Sequence, residues 1–175
     1  MKRKITIILL TLLIVASQLS SVFALTIPYT ALYVGSNKAF VNDIEMEIDP
    51  DNEDVAVFVE YDRSYVPVRF ISENYNGIVS WDNDTQTVTV VMGEKTIKLT
   101  IGVAEIIIDG EKKVIDTAPI IKNERTFLPL RACVEAIGKE VFYDRGLILI
   151  SDVKDILDKD FDADIVDLLI SYFYL

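Results

Sequence analysis

The sequence predicts an α+β fold, two tandem repeats of antiparallel β-hairpins, each with one short α-helix packed on the twisted sheet. Two observations carry this expectation. A stretch of 20 residues recurs 62 positions further on, and the apolar pattern changes between period two and helical spacing at matching points of both copies. Each part of the chain can then be read in order.

The first 24 residues read as a secretory signal. Lys2, Arg3 and Lys4 precede the apolar run Ile5 to Val15, and small residues lead to Val22-Phe23-Ala24, which places cleavage between Ala24 and Leu25. The run is shorter than the roughly 20 residues of a spanning helix, so an uncleaved anchor is the lesser reading. The mature chain is expected to be secreted or held at the cell surface, without a membrane segment after cleavage. Of 17 basic side chains the leader takes three, leaving 14 against 28 acidic ones and a net charge of −14. Such a surface repels phosphate backbones and anionic lipid, so nucleic acid is not an expected partner.

The chain has no histidine and one cysteine. The usual general base of catalytic triads and the commonest nitrogen ligand of copper or zinc are therefore missing. Cys133 lies in an apolar helical pattern and reads as a small core residue, not a reactive thiol. No disulfide holds the mature fold, and no cysteine follows the signal to carry a lipid.

Arg63, Pro67, Arg69, Glu73, Val79 and Asp82 recur as Arg125, Pro129, Arg131, Glu135, Val141 and Asp144, six identities in 20 positions where chance gives about one. Tyr65 meets Phe127, and Trp81 meets Tyr143. Upstream the shift becomes 67, with Gly35 meeting Gly102, Asn42-Asp43 meeting Asp109-Gly110, and Asp49 meeting Asp116. The first copy thus carries five extra residues between Asp49 and Val57. Repeat one runs from about 28 to 92 and repeat two from about 95 to 151, which with a tail accounts for the mature chain.

Within each copy the local signals agree. Asn42-Asp43 and Asp109-Gly110 stand between β-branched runs, as a two-residue hairpin turn requires. Apolar stretches follow at Val55 to Val59 and Pro119 to Ile121. Pro67 and Pro129 suit the first position of a helix of about nine residues, with Phe70, Ile71 and Tyr75, or Cys133, Val134 and Ile137, at helical spacing. Asn76 and Gly138 tolerate the left-handed conformation that ends a helix. Period two then returns: Ile78 to Asp82, a turn at Asn83-Asp84, and Thr85 to Val90; then Glu140 to Asp144, a turn at Arg145-Gly146, and Leu147 to Ile150. A hairpin from Thr87 to Ile101, turning at Gly93-Glu94, joins the copies.

Tyr65-Val-Pro-Val-Arg-Phe-Ile-Ser-Glu, closing on Val79-Ser-Trp-Asp82 and echoed by Phe127-Leu-Pro-Leu-Arg and Tyr143-Asp144, resembles the domain named after the N-terminal segment of copper amine oxidases. The resemblance covers about Lys38 to Ser151. It implies a twisted antiparallel sheet around a helix, found in secreted and surface proteins of bacteria, often beside hydrolase, lyase or surface-layer domains. Ala132 and Cys133 replace larger apolar residues of the pattern. Amine oxidase chemistry resides in a separate, larger domain with three histidine ligands, and a chain without histidine cannot provide it. No catalytic residue, metal ligand or cofactor is carried over.

The repeated polar residues are the candidate sites. Arg69 with Glu73 and Arg131 with Glu135 form i,i+4 pairs with arginine first, the weaker order, and read as structural forks to backbone carbonyls or as ligand contacts. Trp81 and Tyr143, before the turn-forming Asp82 and Asp144, read as packing residues or as aromatic platforms for a sugar. Asp49, Asp51, Glu53 and Glu60 mimic the spacing of a calcium loop, but Asp54 replaces its glycine and strand follows where helix should. The run Asp158, Asp160, Asp162, Asp164 fails similarly at Ala163 and Leu169. Solvated acidic segments explain both.

From Asp152 to Leu175 an acidic linker leads to an apolar helix, capped by Asp162 or Asp164, in which Ile165, Leu168, Leu169, Tyr172 and Phe173 lie close together. This stripe needs cover. It either folds back on the body or leads into a further domain, which would make the chain the N-terminal accessory part of a polysaccharide-degrading enzyme; the run resembles one that follows such repeats in polysaccharide lyase-like proteins. The expected function is a non-catalytic module for binding, positioning or spacing, with extracellular or cell-wall polysaccharide or another surface protein as partner. The competing readings are a structural remnant without activity of its own and a small hydrolase built on a carboxylate pair.

Overall fold

The computed structural model describes residues 27–174; the expected leader and the expected cleavage site between Ala24 and Leu25 lie outside the described residues. Among the described residues the fold is mixed, mostly antiparallel strands in three sheets with three short helices. In chain order the elements are β1 Tyr29–Tyr33, β2 Lys38–Val41, β3 Ile44–Glu47, β4 Phe58–Glu60, β5 Arg63–Pro67, α1 Val68–Asn74, β6 Ile78–Asp82 and β7 Thr87–Met92. They continue with β8 Lys95–Thr100, β9 Glu105–Ile108, β10 Glu111–Val114, β11 Ile120–Lys122, β12 Arg125–Pro129, α2 Leu130–Ala136, β13 Glu140–Asp144, β14 Leu147–Ser151 and α3 Ala163–Ser171, then a 3₁₀ turn at Tyr172–Tyr174. No helix among the described residues is long and apolar enough to cross a membrane.

Turn chemistry sets the hairpins. Asn42 and Asp43, and Asp109 and Gly110, all have positive φ, as do Arg145 and Gly146, so each two-residue turn has the twist that matches its strands. Two further turns of this kind, Tyr61-Asp62 and Asn123-Glu124, stand where only a polar connection was expected. One strand start shifts: Gln86 takes φ 53°, which keeps Thr85 and Gln86 in the turn and delays β7 to Thr87.

The helices also differ from expectation. The two that follow the prolines, α1 and α2, have seven residues each instead of about nine. Pro67 and Pro129 close β5 and β12 with ψ 121° and 126° and occupy the cap position, one place before the helix. The ring fixes φ for both strand end and helix start, and its missing N–H is not needed at either. At the other end Asn76 and Gly138 do adopt positive φ. Gly77 N–H then donates to the Ser72 carbonyl at 2.7 Å and Lys139 N–H to that of Val134 at 3.0 Å, while Asn76 and Gly138 donate to Glu73 and Glu135. That is the paired closure of a Schellman end, which stops each helix after two turns.

One five-stranded sheet has the order β13-β14-β1-β2-β3, a second β10-β9-β8-β7-β6, and a four-stranded sheet β11-β12-β5-β4. The last is joined at its centre by β5 and β12, with Val66 opposite Leu128. The expected hairpin of β7 and β8 is present, turning at Gly93-Glu94. Inward residues of all three sheets and both central helices form the main core, among them Leu32, Val66, Ile71, Val88, Leu99, Phe127, Leu128 and Ile148. Each such fully buried side chain contributes about 1.5–3 kcal/mol. These contacts hold seven-residue helices that would not persist alone.

A second, smaller core lies on the outer face of the β13-β14-β1-β2-β3 sheet. There Ala31, Phe142, Leu147 and Leu149 meet Val166 of α3, with Phe40 and Phe173 packed against them. Phe173 stacks on Tyr33 at 5.6 Å and meets Phe40 edge-on at 5.1 Å between ring centres. The tail therefore folds back on the body. Asp162 stands at the cap of α3, but its carboxylate accepts the N–H of Asp158 and fixes the preceding loop instead of the helix end.

Candidate functional site

A groove of about 710 Å³ opens where all three sheets approach α1. Its floor is apolar, with Ile48, Pro67, Phe70 and Val88. One wall is the edge strand β6 with Trp81, and α1 supplies Arg69, Glu73 and Asn74. The loop after β3 brings Asp49 and Asp51, and the β11–β12 turn brings Glu124 and Arg125. Trp81 is paired with Val88 on the inward face of its sheet. Because β6 has no neighbour on its outer side among the described residues, the indole projects into the groove and stays 39% exposed.

An ion pair across the groove holds the loop. Arg125 donates from Nε and, at 3.4 Å, from Nη2 to the Asp49 carboxylate. Hydrogen bonding from this guanidinium holds Asp49 well below the usual carboxylate range, and the N–H of Asp51 adds to that effect. Arg125 also reaches its neighbour's carbonyl, Glu124, through Nη1 at 3.3 Å. Asn52 and Asn123 exchange amide hydrogen bonds with the opposite segment, Asn52 donating to the Asn123 carbonyl at 3.0 Å and Asn123 to that of Asp54 at 2.7 Å. The acidic loop after β3 is thus tied down against the β11–β12 turn, while Val55 and Val57 behind it are fully buried.

The counterpart beside α2 is smaller, about 210 Å³, and is lined by Arg131, Glu135, Lys113, Asp116 and apolar residues of β9 and α2. There Arg63 donates through Nε to Asp116 at 2.5 Å and through Nη1 to the Asp62 carbonyl at 3.1 Å. Glu135 accepts from Lys113 at 3.0 Å. Tyr143 is exposed on β13 and is not part of this lining.

The sequence-predicted residues therefore divide. Pro67, Arg69, Glu73 and Trp81 share the large groove, and Arg131 and Glu135 share the small one without Tyr143. Arg69 lies 3.9 Å from Glu73, a loose and exposed pair. The expected forks to backbone carbonyls are instead made by Arg63 and Arg125. Asp82 accepts the N–H groups of Asp84 and Thr85 and, with the Thr85 hydroxyl, is held more acidic than usual. Asp144 takes Arg145, whose other arm reaches Asp167 of α3 at 2.6 Å. Pro129 caps α2.

Sequence reasoning missed the crosswise pairs Arg125–Asp49 and Arg63–Asp116. A signal existed: these two positions keep opposite charges in both stretches, and such retention is expected of partners. Among the described residues no group of three acidic or thiol side chains is arranged to hold a metal ion, and Asp49 is already engaged by Arg125. Cys133 is buried, which pushes its thiol up to about 12 and leaves it protonated and inert.

What this arrangement offers is an aromatic plane, a pair of guanidinium groups and a rim of carboxylates around an apolar floor. These are means of holding a ligand, and the two carboxyls with displaced acidity, Asp49 and Asp82, are both biased toward the ionised state, the reverse of a general acid's requirement. No curated protein matches the chain. The sequence model of one family, described as Copper amine oxidase N-terminal domain, matches residues 50–150. With the match running from the groove's acidic loop through β14, the chain belongs to the copper amine oxidase N-terminal domain family, typically a non-catalytic accessory module.

Proposed function

We propose that the chain is an exported binding and positioning module whose large groove holds extracellular or cell-wall polysaccharide. The observation that carries this reading is the exposed Trp81 on an edge strand, sharing a groove with Arg69 and the amide side chains of Asn74 and Gln86. An indole face packs on the apolar face of a sugar ring, and flanking amides and guanidinium fix its hydroxyls. Export is supported by the basic, apolar and small-residue order of residues 1–24.

The body is proposed to be two copies of one unit that exchange their last hairpins. Supporting this, β6 and β7 adjoin the three strands that follow them, whereas β13 and β14 adjoin the first three strands of the chain. The reciprocal pairs Arg125–Asp49 and Arg63–Asp116 obey the same relation, as a two-fold contact does.

Retention of the mature protein on insoluble cell-wall and plant polysaccharides tests the reading. Trp81→Ala is expected to lower retention at least about tenfold, or about 1.4 kcal/mol, whereas Tyr143→Ala, outside the groove, leaves it unchanged. Equal loss in both variants would move the site away from the groove. No retention on any polymer would favour a spacer without a ligand, the reading supported by the firm ion-paired closure of the groove loop.

A further inference from the structure

The groove's charge narrows its ligand. Arg125 is taken by Asp49, and Arg69 lies 3.9 Å from Glu73. Three more carboxylates, Glu47, Asp51 and Glu124, line the same groove, and all three are exposed and outside every ion pair among the described residues. They come from three separate segments, the end of β3, the loop after it and the β11–β12 turn, so the groove gathers a charge that no one segment carries. The whole chain adds to that field, with a formal charge of −11 before leader removal.

A polymer of uronate or phosphate units entering here would meet like charge at every step. A chain of neutral sugars would use Trp81 and leave three carboxylates to no purpose. Resting on the reading that the groove is a polysaccharide site, we propose that its ligand is a linear amino-sugar polymer with free amines, its ring faces on Trp81 and its ammonium groups on Glu47, Asp51 and Glu124. A lysine-rich peptide would match the carboxylates but has no ring face to lay on the indole.

Affinity electrophoresis of the mature protein through gels containing soluble de-N-acetylated chitin, polygalacturonate, a neutral glucan or polylysine separates these possibilities. Strong retardation by de-N-acetylated chitin, weakened by added salt, and none by polygalacturonate are expected. Trp81→Ala should reduce the retardation at least about tenfold although the net charge is unchanged, with Trp81→Phe recovering most of it. The combined variant Glu47→Gln, Asp51→Asn, Glu124→Gln should show a similar loss. It alters only exposed side chains, and so keeps the test open if Trp81→Ala fails to fold.

Retardation by polygalacturonate or the neutral glucan that depends on Trp81 would overturn the amine specificity and keep the polysaccharide site. Retardation by polylysine as strong as by the amino-sugar polymer, and equally sensitive to Trp81→Ala, would assign the groove to a peptide. Retardation indifferent to Trp81→Ala would reduce the effect to general attraction between an acidic chain and a polycation. Passage unretarded through every gel would overturn the polysaccharide site itself.

Discussion

The two five-stranded sheets have corresponding strand orders and opposite outer faces. Across the β13-β14-β1-β2-β3 sheet, one row of neighbouring residues reads Phe142, Leu149, Ala31, Phe40. The corresponding row of the β10-β9-β8-β7-β6 sheet, starting from β6, reads Ser80, Thr89, Lys98, Ile107. The first row is covered by α3, and the second faces solvent, with Ser80 and Lys98 exposed. An antiparallel sheet tolerates water on one face if that face is polar, and needs a second layer if it is not. The tail is therefore the layer that one sheet's composition demands, and not an appendage.

The comparison breaks most readily at Val166, the fully buried residue of α3. Val166→Asp places a carboxylate among Ala31, Phe142 and Leu149 and is expected to cost about 3 kcal/mol or more in urea unfolding, with a rise in binding of a hydrophobic dye as the tail lifts. Lys98→Glu on the bare face should change stability by no more than about 0.5 kcal/mol. Equal effects of the two would mean that the tail is not part of the folded body.

The next difference lies between the crosswise ion pairs. In the Arg125–Asp49 pair the side chains are 26% and 16% exposed, against 46% and 37% for Arg63–Asp116. Water screens the second more fully, so Arg63→Ala is expected to cost at most about 1 kcal/mol. Arg125→Ala leaves Asp49 half-enclosed without its partner and is expected to cost about 2 kcal/mol. Acid sharpens the contrast. Hydrogen bonding from Arg125 lowers the Asp49 pKa in the folded state, so its contribution is complete above the unfolded value of about 3.9 and is lost as pH falls through the lower folded value. The stability gap between the wild type and Asp49→Asn should be constant near neutrality and close below about pH 4. A gap that persisted at lower pH would show that Asp49 acts through packing and not through its charge.

Local features were legible in the sequence because local chemistry decides them. Asn42-Asp43, Asp109-Gly110 and Arg145-Gly146 make tight turns, and Asn76 and Gly138 end helices, each through backbone freedom of the residues themselves. The antiparallel strands and the resemblance to the family were readable for the same reason, since alternation and the Pro-x-Arg phrase are short-range. Helix length differs from expectation because apolar spacing continues through Tyr75 and Ile137, which are already cap residues after the last helical position, while the prolines at the other end belong to the strands. The site was only half legible. Arg69 stands out as a retained residue and Trp81 as a retained aromatic position, but the loop that completes their groove is fixed by Arg125, 76 positions from Asp49. Alternation tells which face a strand buries and not which sheet it joins, so the pairing of β1 with β14 could not be read from it.

The smallest expected effect concerns the centre of the two helices. Ser72 of α1 corresponds to Val134 of α2 at the shift of 62, and both are buried. The Ser72 hydroxyl is buried with no hydrogen-bond partner among the described residues, beside a void of about 10 Å³ that Val68, Cys133 and Ile137 also line. A hydroxyl taken from water without a partner costs about 1–3 kcal/mol, part of which packing returns. Ser72→Val copies the residue of the other helix, removes the orphaned group and adds a methyl next to the void. It is expected to stabilise by about 0.5–1 kcal/mol, read as a higher urea midpoint at unchanged slope. Destabilisation by a similar amount would mean that the void cannot accept the added methyl, and that the two helix seats differ in shape as well as in polarity.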